Sequence, residues 1–160
     1  MVVRWGRILM GVGIFVALPE TPLLPRKKSP PRPVGLTHLG RGPAKPVRKL
    51  EAFPNSFPDR DTVITFHCEE FTCLCPITGQ PDFATLEISY IPDKFVLESK
   101  SLKLYLWTYR EVGIFHENVV NELLDALYAF LKPRWLRVTG RFNARGGIGI
   151  DCTAERRRSE

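Results

Sequence analysis

The sequence predicts an α+β domain of order ββααββ, an antiparallel sheet with two helices laid on one face. Three observations predict it. Two strand-period segments come first, two helix-period segments follow between residues 99 and 131, and two more strand-period segments end the domain.

The first expected strands are Thr62 to Cys68 and Ala84 to Tyr90. In the second, Leu86, Ile88 and Tyr90 alternate with Thr85, Glu87 and Ser89, the period of a half-buried sheet. A loop of Cys, Pro and Gly lies between them. Ser99 to Arg110 reads as a helix because Leu102, Leu106 and Tyr109 recur at i, i+4 and i+7 with lysines between. The next stripe, Val119, Val120, Leu123, Leu124, Leu127 and Leu131, begins beside the acids Glu117 and Glu122 and stops at Lys132-Pro133, so a second helix is expected. Leu136, Val138 and Phe142 then alternate with Arg137, Thr139 and Arg141; after an Arg-Gly-Gly turn, Ile148, Ile150 and Cys152 alternate again.

The chain of 160 residues has room for one such domain and a tail. Eight prolines between Pro19 and Pro46 predict an extended, solvated linker, which puts a basic, disordered extension at 1–49, the domain at 50–153 and a charged tail at 154–160. The net charge of +6 divides unevenly: residues 1–50 hold ten Lys and Arg against one acid, Glu20, whereas residues 51–153 hold ten bases and fourteen acids. A basic face for phosphate backbones is therefore not expected on the domain, and no direct nucleic-acid partner. No apolar run approaches the ~20 residues that span a bilayer, so no membrane partner is expected either. Arg4, Arg7 and the apolar run Ile8 to Leu18 have the layout of a secretory signal, but Pro19-Glu20 stands where a small-residue cleavage site belongs. Four cysteines with a Cys-Leu-Cys spacing suit a disulfide framework poorly, and a reducing, cytoplasmic setting is expected.

Chemistry concentrates in Phe71-Thr-Cys-Leu-Cys-Pro-Ile-Thr-Gly-Gln-Pro-Asp82. Cys75 precedes a proline and Asp82 follows seven residues later, a thiol that could act as nucleophile and an acid that could protonate the atom gaining charge. The plainer readings are a small buried hydrophobe and a turn residue. A zinc set of His67, Cys68, Cys73 and Cys75 lacks a Cys-x-x-Cys knuckle, and no metal is expected.

Phe71 to Ala84, the run Leu97-Glu-Ser-Lys-Ser-Leu-Lys-Leu-Tyr105, Phe115-His-Glu117 and Arg145-Gly-Gly-Ile148 together resemble the short form of the NADPH-dependent 7-cyano-7-deazaguanine reductases, over roughly Leu50 to Asp151. The resemblance implies the T-fold (tunnelling fold), with subunits in pentameric rings stacked as a decamer, hence a homo-oligomer. It implies a free deazaguanine base as substrate, NADPH as cofactor, Cys75 as the nucleophile that forms a thioimide, and Asp82 as the proton donor. Glu117 would grip the guanine-like edge, with His116, Leu97, Glu98 and Ser99 completing the substrate site. Ser99, Lys100, Lys103, Arg145 and Gly146 would contact NADPH.

Each assignment has a plainer counterpart. Glu117 would serve the helix dipole, His116 a cap, the lysines a solvated face and Arg145-Gly-Gly a hairpin turn. Cys73 stands where a small polar residue is expected and could compete as nucleophile or form a regulatory disulfide. Two further functions stay open: an amidine-forming relative acting on the same nitrile, which the intact Glu98-Ser-Lys-Ser-x-Lys-Leu104 run disfavours, and a non-enzymatic zinc-binding or interaction module.

Overall fold

The computed structural model describes residues 45–159. Its elements are β1 (Ala52–Pro54), β2 (Ile64–Leu74), β3 (Pro81–Ile91), β4 (Phe95–Leu97), α1 (Ser99–Trp107), α2 (His116–Leu131), β5 (Trp135–Arg145) and β6 (Ile148–Arg157). The four long strands form one antiparallel sheet in the order β2-β3-β5-β6, so the expected ββααββ sequence of long elements holds. β1 and β4 pair with each other as a separate two-stranded sheet that sequence reading missed, since three residues are too few to display a period.

The core lies between the sheet and the helices. Leu86, Ile88 and Tyr90 of β3 and Leu136, Val138 and Phe142 of β5 are buried in one cluster with Val119, Val120, Leu123, Leu127 and Leu131 of α2. The opposite sheet face is polar: the Thr65 and Ser89 hydroxyls bond across strands, as do those of Thr139 and Thr153, and Arg141 pairs with Glu87. Gly140 lets α2 approach β5, because a Cβ there would lie 2.9 Å from Phe142 Cε2 and 3.1 Å from Val120 Cγ2. Gly140→Ala is therefore expected to cost about 1–3 kcal/mol as an overpacked core site. A denaturation midpoint equal to that of the parent protein would show that the backbone yields there instead.

Both ends of the domain differ from the expected boundaries. Before Leu50, Val47 N–H donates to the Leu104 carbonyl at 3.2 Å, and the Arg48 guanidinium sits 5.3 Å from the Tyr109 ring centre and 3.7 Å from the Glu122 carboxylate. At the other end, Ala154 to Arg157 continue β6 along β5, where a charged tail was expected. Charge misleads there because β6 is an edge strand whose side chains reach solvent, and Glu155 meets Arg137 across the ladder at 2.7 Å. The rest of the N-terminal extension, including Ile8 to Leu18, lies outside the described residues. Among those described, no helix is long and apolar enough to cross a membrane.

The first helix is shorter than its apolar stripe suggests. It ends at Trp107, with the Thr108 hydroxyl donating to the Tyr105 carbonyl at 2.7 Å, and Tyr109 is buried from the following turn. At its start, Glu98 is the N-cap: its carboxylate accepts from Lys100 N–H at 2.8 Å and Ser101 N–H at 2.6 Å. The Ser101 hydroxyl in turn accepts from Glu51 N–H and donates to the Glu98 carbonyl, which fastens the helix start to the segment entering β1.

Candidate active site

β2 extends beyond its expected end through Leu74, so the loop that carries the Cys-Pro motif is a tight turn from Cys75 to Gln80. Cys75 N–H donates to the Gln80 carbonyl at 2.8 Å, and Gly79 N–H donates to the Cys75 carbonyl at 2.9 Å. Gly79 has φ +69°, a left-handed conformation that glycine adopts without steric cost. The connection between the helices docks on the same place. Leu74 N–H donates to the Val112 carbonyl and Ile114 N–H to the Leu74 carbonyl, both at 2.9 Å. Gly113 passes so close to the turn that a Cβ on it would lie 3.2 Å from Pro76 Cα. These contacts bring the start of α2, with His116, against the start of β3, with Asp82.

The turn activates its thiol. The Thr78 hydroxyl, then the Thr78 and Ile77 backbone N–H groups, and to a smaller extent Arg145, hold Cys75 down at about 7, against the ordinary thiol range. The other three cysteines move the opposite way. Burial, with the Asp82 charge behind it, pushes Cys73 up to about 11, and burial likewise raises Cys68 and Cys152. The competition foreseen between Cys73 and Cys75 is thus unequal, because a fully buried thiol held that high carries almost no thiolate near neutral pH.

Asp82 pairs in register with Cys73 and is only 3% exposed. Arg145 Nη1 lies 2.8 Å from its Oδ1, and His116 Nε2 lies 3.2 Å from its Oδ2. Neither approach has hydrogen-bond geometry, so both carboxyl oxygens keep acceptor capacity in a buried place. Arg145 also donates through Nη2 to Gln80 Oε1 at 2.6 Å. The His116 ring stacks on Phe142 with centroids 3.9 Å apart and planes 8° from parallel. Of the residues singled out in the sequence, the structure therefore assembles Cys75, Asp82, His116 and Arg145.

The remaining candidates lie elsewhere on the chain. Leu97 is buried in β4 and its N–H donates to the Tyr90 hydroxyl at 3.0 Å, while both carboxylate oxygens of Glu98 are engaged in the cap of α1. Replacing Glu98 by Ala should therefore cost about 0.5–2 kcal/mol of stability as a lost cap, read as a lower denaturation midpoint. Ser99, Lys100 and Lys103 lie on α1; Ser99 and Lys103 line a groove of about 610 Å³ against β2, with Phe66, Trp107 and Arg110. That size is within the range of small-molecule sites. Glu117 is exposed in the first turn of α2, and Gly146 forms the β5–β6 turn with Gly147. None of Glu98, Ser99, Lys103 and Glu117 makes a hydrogen bond or ion pair with Cys75, Asp82, His116 or Arg145. Among the described residues no group of three or more His, Cys, Asp or Glu is placed to hold a metal ion.

Sequence reading missed Thr78, Gln80 and Phe142. A Thr three residues after a Cys in a Pro-and-Gly turn is a readable signal, since its hydroxyl can turn back toward the thiol. The parts Gln80 and Phe142 play depend on contacts with residues distant in the chain.

Residues 81–160 match the family described as QueF-like protein. The NADPH-dependent 7-cyano-7-deazaguanine reductase of Syntrophus aciditrophicus is 60% identical over 131 residues, 81% of this chain and 93% of that protein. The chain belongs to this reductase family. The enzyme of the same name from Nitrosococcus oceani is 56% identical over 115 residues, covering 72% of this chain and 89% of that protein. The 131-residue match is longer than the stretch from Leu50 to Glu160, so likeness to the reductases runs into the N-terminal extension, for which the sequence alone offered no counterpart. Among solved structures, the apo archaeosine synthase QueF-Like superimposes with a TM-score of 0.55 at 26% identity, covering 58% of this chain and 91% of that one. The likeness is consistent with the T-fold, the α+β architecture expected from the sequence.

Proposed function

We propose that this chain reduces the nitrile of 7-cyano-7-deazaguanine to 7-aminomethyl-7-deazaguanine with NADPH, in the synthesis of the tRNA base queuosine, using Cys75 as nucleophile and Asp82 as proton donor. The observation that carries the roles is the Cys75 turn: one activated thiol of four, tied through Arg145 to a buried carboxyl. The Cys75 sulfur pair forms a bond to the nitrile carbon, one π pair moves to nitrogen, and nitrogen takes the Asp82 proton, giving a thioimide. NADPH, when bound, supplies a hydride to carbon, and two are needed to pass from nitrile to amine. Nitrogen gains two protons in all, the first from Asp82 in the addition and one more in reaching the amine, and the sulfur leaves as the thiolate that the Cys75 turn stabilises. The His116–Phe142 stack offers a flat wall beside Asp82, and Glu117 is free to accept from the ring N–H and amine of a guanine-like edge.

The residues for NADPH fit an anionic ligand in one respect and resist it in another. Lys103 and Arg110 line the α1 groove with Ser99 and Trp107, residue types suited to phosphate and a planar group, whereas Glu69 and Glu70 also line it and would repel phosphate. The α1 amides at Lys100 and Ser101 are already taken by the Glu98 carboxylate, so side chains rather than the helix start would hold phosphate.

Since these residues and the Cys75 cluster are not linked within one chain, we assign the complete site to a homo-oligomer in which neighbouring subunits bring the two together. Its support is that β2 and β6, eleven and ten residues long, are the outer strands of the four-stranded sheet, with no further strand beside them among the described residues apart from the bridge between Leu74 and Gly113. Ile77 at 78% and Ile148 at 70% exposure add apolar surface beside the site. A free base rather than tRNA as substrate agrees with the pairing of Arg134, Arg137, Arg141 and Arg158 to carboxylates, which leaves no basic stripe among them. A free thiolate nucleophile agrees with a reducing, cytoplasmic setting.

The test is stoichiometric. With 7-cyano-7-deazaguanine present, two NADPH should be consumed per nitrile, followed by absorbance. Because the archaeosine synthase is a structural relative, amidine formation is the second reading; ammonia-dependent amidine with no NADPH consumed would establish it instead.

A further inference from the structure

The hydrogen bond and ion pair that tie the tip of the β5–β6 hairpin to the catalytic turn come from one side chain, Arg145. The tip residues Asn143, Ala144, Gly146, Gly147 and Ile148 are exposed, and none of their side chains hydrogen-bonds to the turn. Arg145 spans the gap, its Nη2 donating to Gln80 Oε1 at 2.6 Å and its Nη1 paired by charge with Asp82 Oδ1 at 2.8 Å. The resemblance to the reductases implies an NADPH contact for this arginine.

We propose that Arg145 is a positioning residue for the addition step: its guanidinium locks the hairpin tip onto the Cys75–Asp82 turn and fixes which carboxyl oxygen of Asp82 hands over the proton. The inference rests on the nitrile-reductase reading and adds to it a residue acting before NADPH is needed. The guanidinium is a permanent positive charge with no acceptor, 2.8 Å from Asp82 Oδ1, so that oxygen is the one that keeps negative charge. The transferable proton is thereby confined to Oδ2, the oxygen on the His116 side. Without Arg145 the charge that distinguishes the two oxygens is gone, and either can carry the proton. In the step itself the sulfur pair enters the nitrile carbon, the π pair moves to nitrogen and the Oδ2 proton follows it, so atoms and charge balance with no further reagent. The same guanidinium lies beside the Cys75 thiolate and adds to its stabilisation.

The experiment omits NADPH. Full-length enzyme is mixed with 7-cyano-7-deazaguanine across a pH series, and thioimide formation is followed by absorbance and confirmed by intact mass. If the parent enzyme forms no adduct, the reductase reading itself fails, which is separate from failure of this inference. Given an adduct, Arg145→Met should form it ~10- to 100-fold more slowly, the scale expected when a reacting group is misplaced. Its pH midpoint should also move upward, since Cys75 loses one stabilising contact, and Arg145→Lys should recover part of the rate but not all, because an ammonium cannot span both anchors. Adduct formation by Arg145→Met at the parent rate and pH midpoint, with loss confined to NADPH oxidation, would overturn the proposal and leave Arg145 a cofactor contact. Should Arg145→Met fail to fold, Gln80→Leu, which releases one arm from an exposed turn residue, takes its place. A several-fold slowing is expected there, and a parent rate overturns the proposal.

Discussion

Cys75→Ala is expected to form no thioimide with 7-cyano-7-deazaguanine and to lose NADPH turnover by at least ~10⁴-fold, the scale seen when a covalent nucleophile is removed. Cys68→Ala and Cys152→Ser should retain both, since burial raises those thiols and neither joins the Cys75 cluster. The pH dependence follows from direction. A thiol held at about 7 is reactive above that value and is progressively protonated below it, so the parent adduct rate should rise with pH through a midpoint near 7 and then level. Thr78→Val removes the largest stabilising contact and should carry that midpoint upward, lowering the rate several-fold at neutral pH while changing it little well above the ordinary thiol pKa of ~8.5. An adduct mapped to Cys73 by peptide mass would sink the assignment of the nucleophile.

What could be read from the sequence followed the range of the interactions involved. The long elements were legible because each has enough residues to display a period: α2 from its Val119-to-Leu131 stripe, β3 from Leu86, Ile88 and Tyr90. The β1–β4 pair was not, because its stability comes from Ala52 meeting Leu97 across the chain and not from any local pattern. The end of β6 was misread because local charge was taken as solvent exposure of a tail, whereas an edge strand keeps its backbone paired while its arginines reach water. Cys75 and Asp82 were legible as a motif. That Cys73 would be the inert thiol was not, since it depends on the Cys73–Asp82 pairing and full burial. Arg145 was legible only as a charged turn residue; its partners Gln80 and Asp82 lie more than sixty residues earlier and only the folded sheet brings them within reach.

Asp82→Asn should separate the acid from the nucleophile. The amide keeps the size of the carboxyl and an oxygen for Arg145, yet has no acidic proton to give, so turnover should fall by roughly 10²- to 10⁴-fold, as for a lost general acid. Binding of the nitrile, read by calorimetry, should survive. The thiolate should survive as well: the contacts that stabilise Cys75 come from Thr78, Ile77 and Arg145, and Asp82 is not among them. Alkylation of Cys75 by iodoacetamide should therefore keep the parent rate and pH midpoint in Asp82→Asn, while thioimide formation slows because the nitrogen gaining the π pair finds no proton. This contrast between two electrophiles isolates the role, since iodoacetamide releases iodide and needs no proton whereas the nitrile does. If alkylation and thioimide formation slowed together, Asp82 would be shaping the turn that activates Cys75. If turnover stayed near the parent value, its burial between Arg145 and His116 would serve the fold alone.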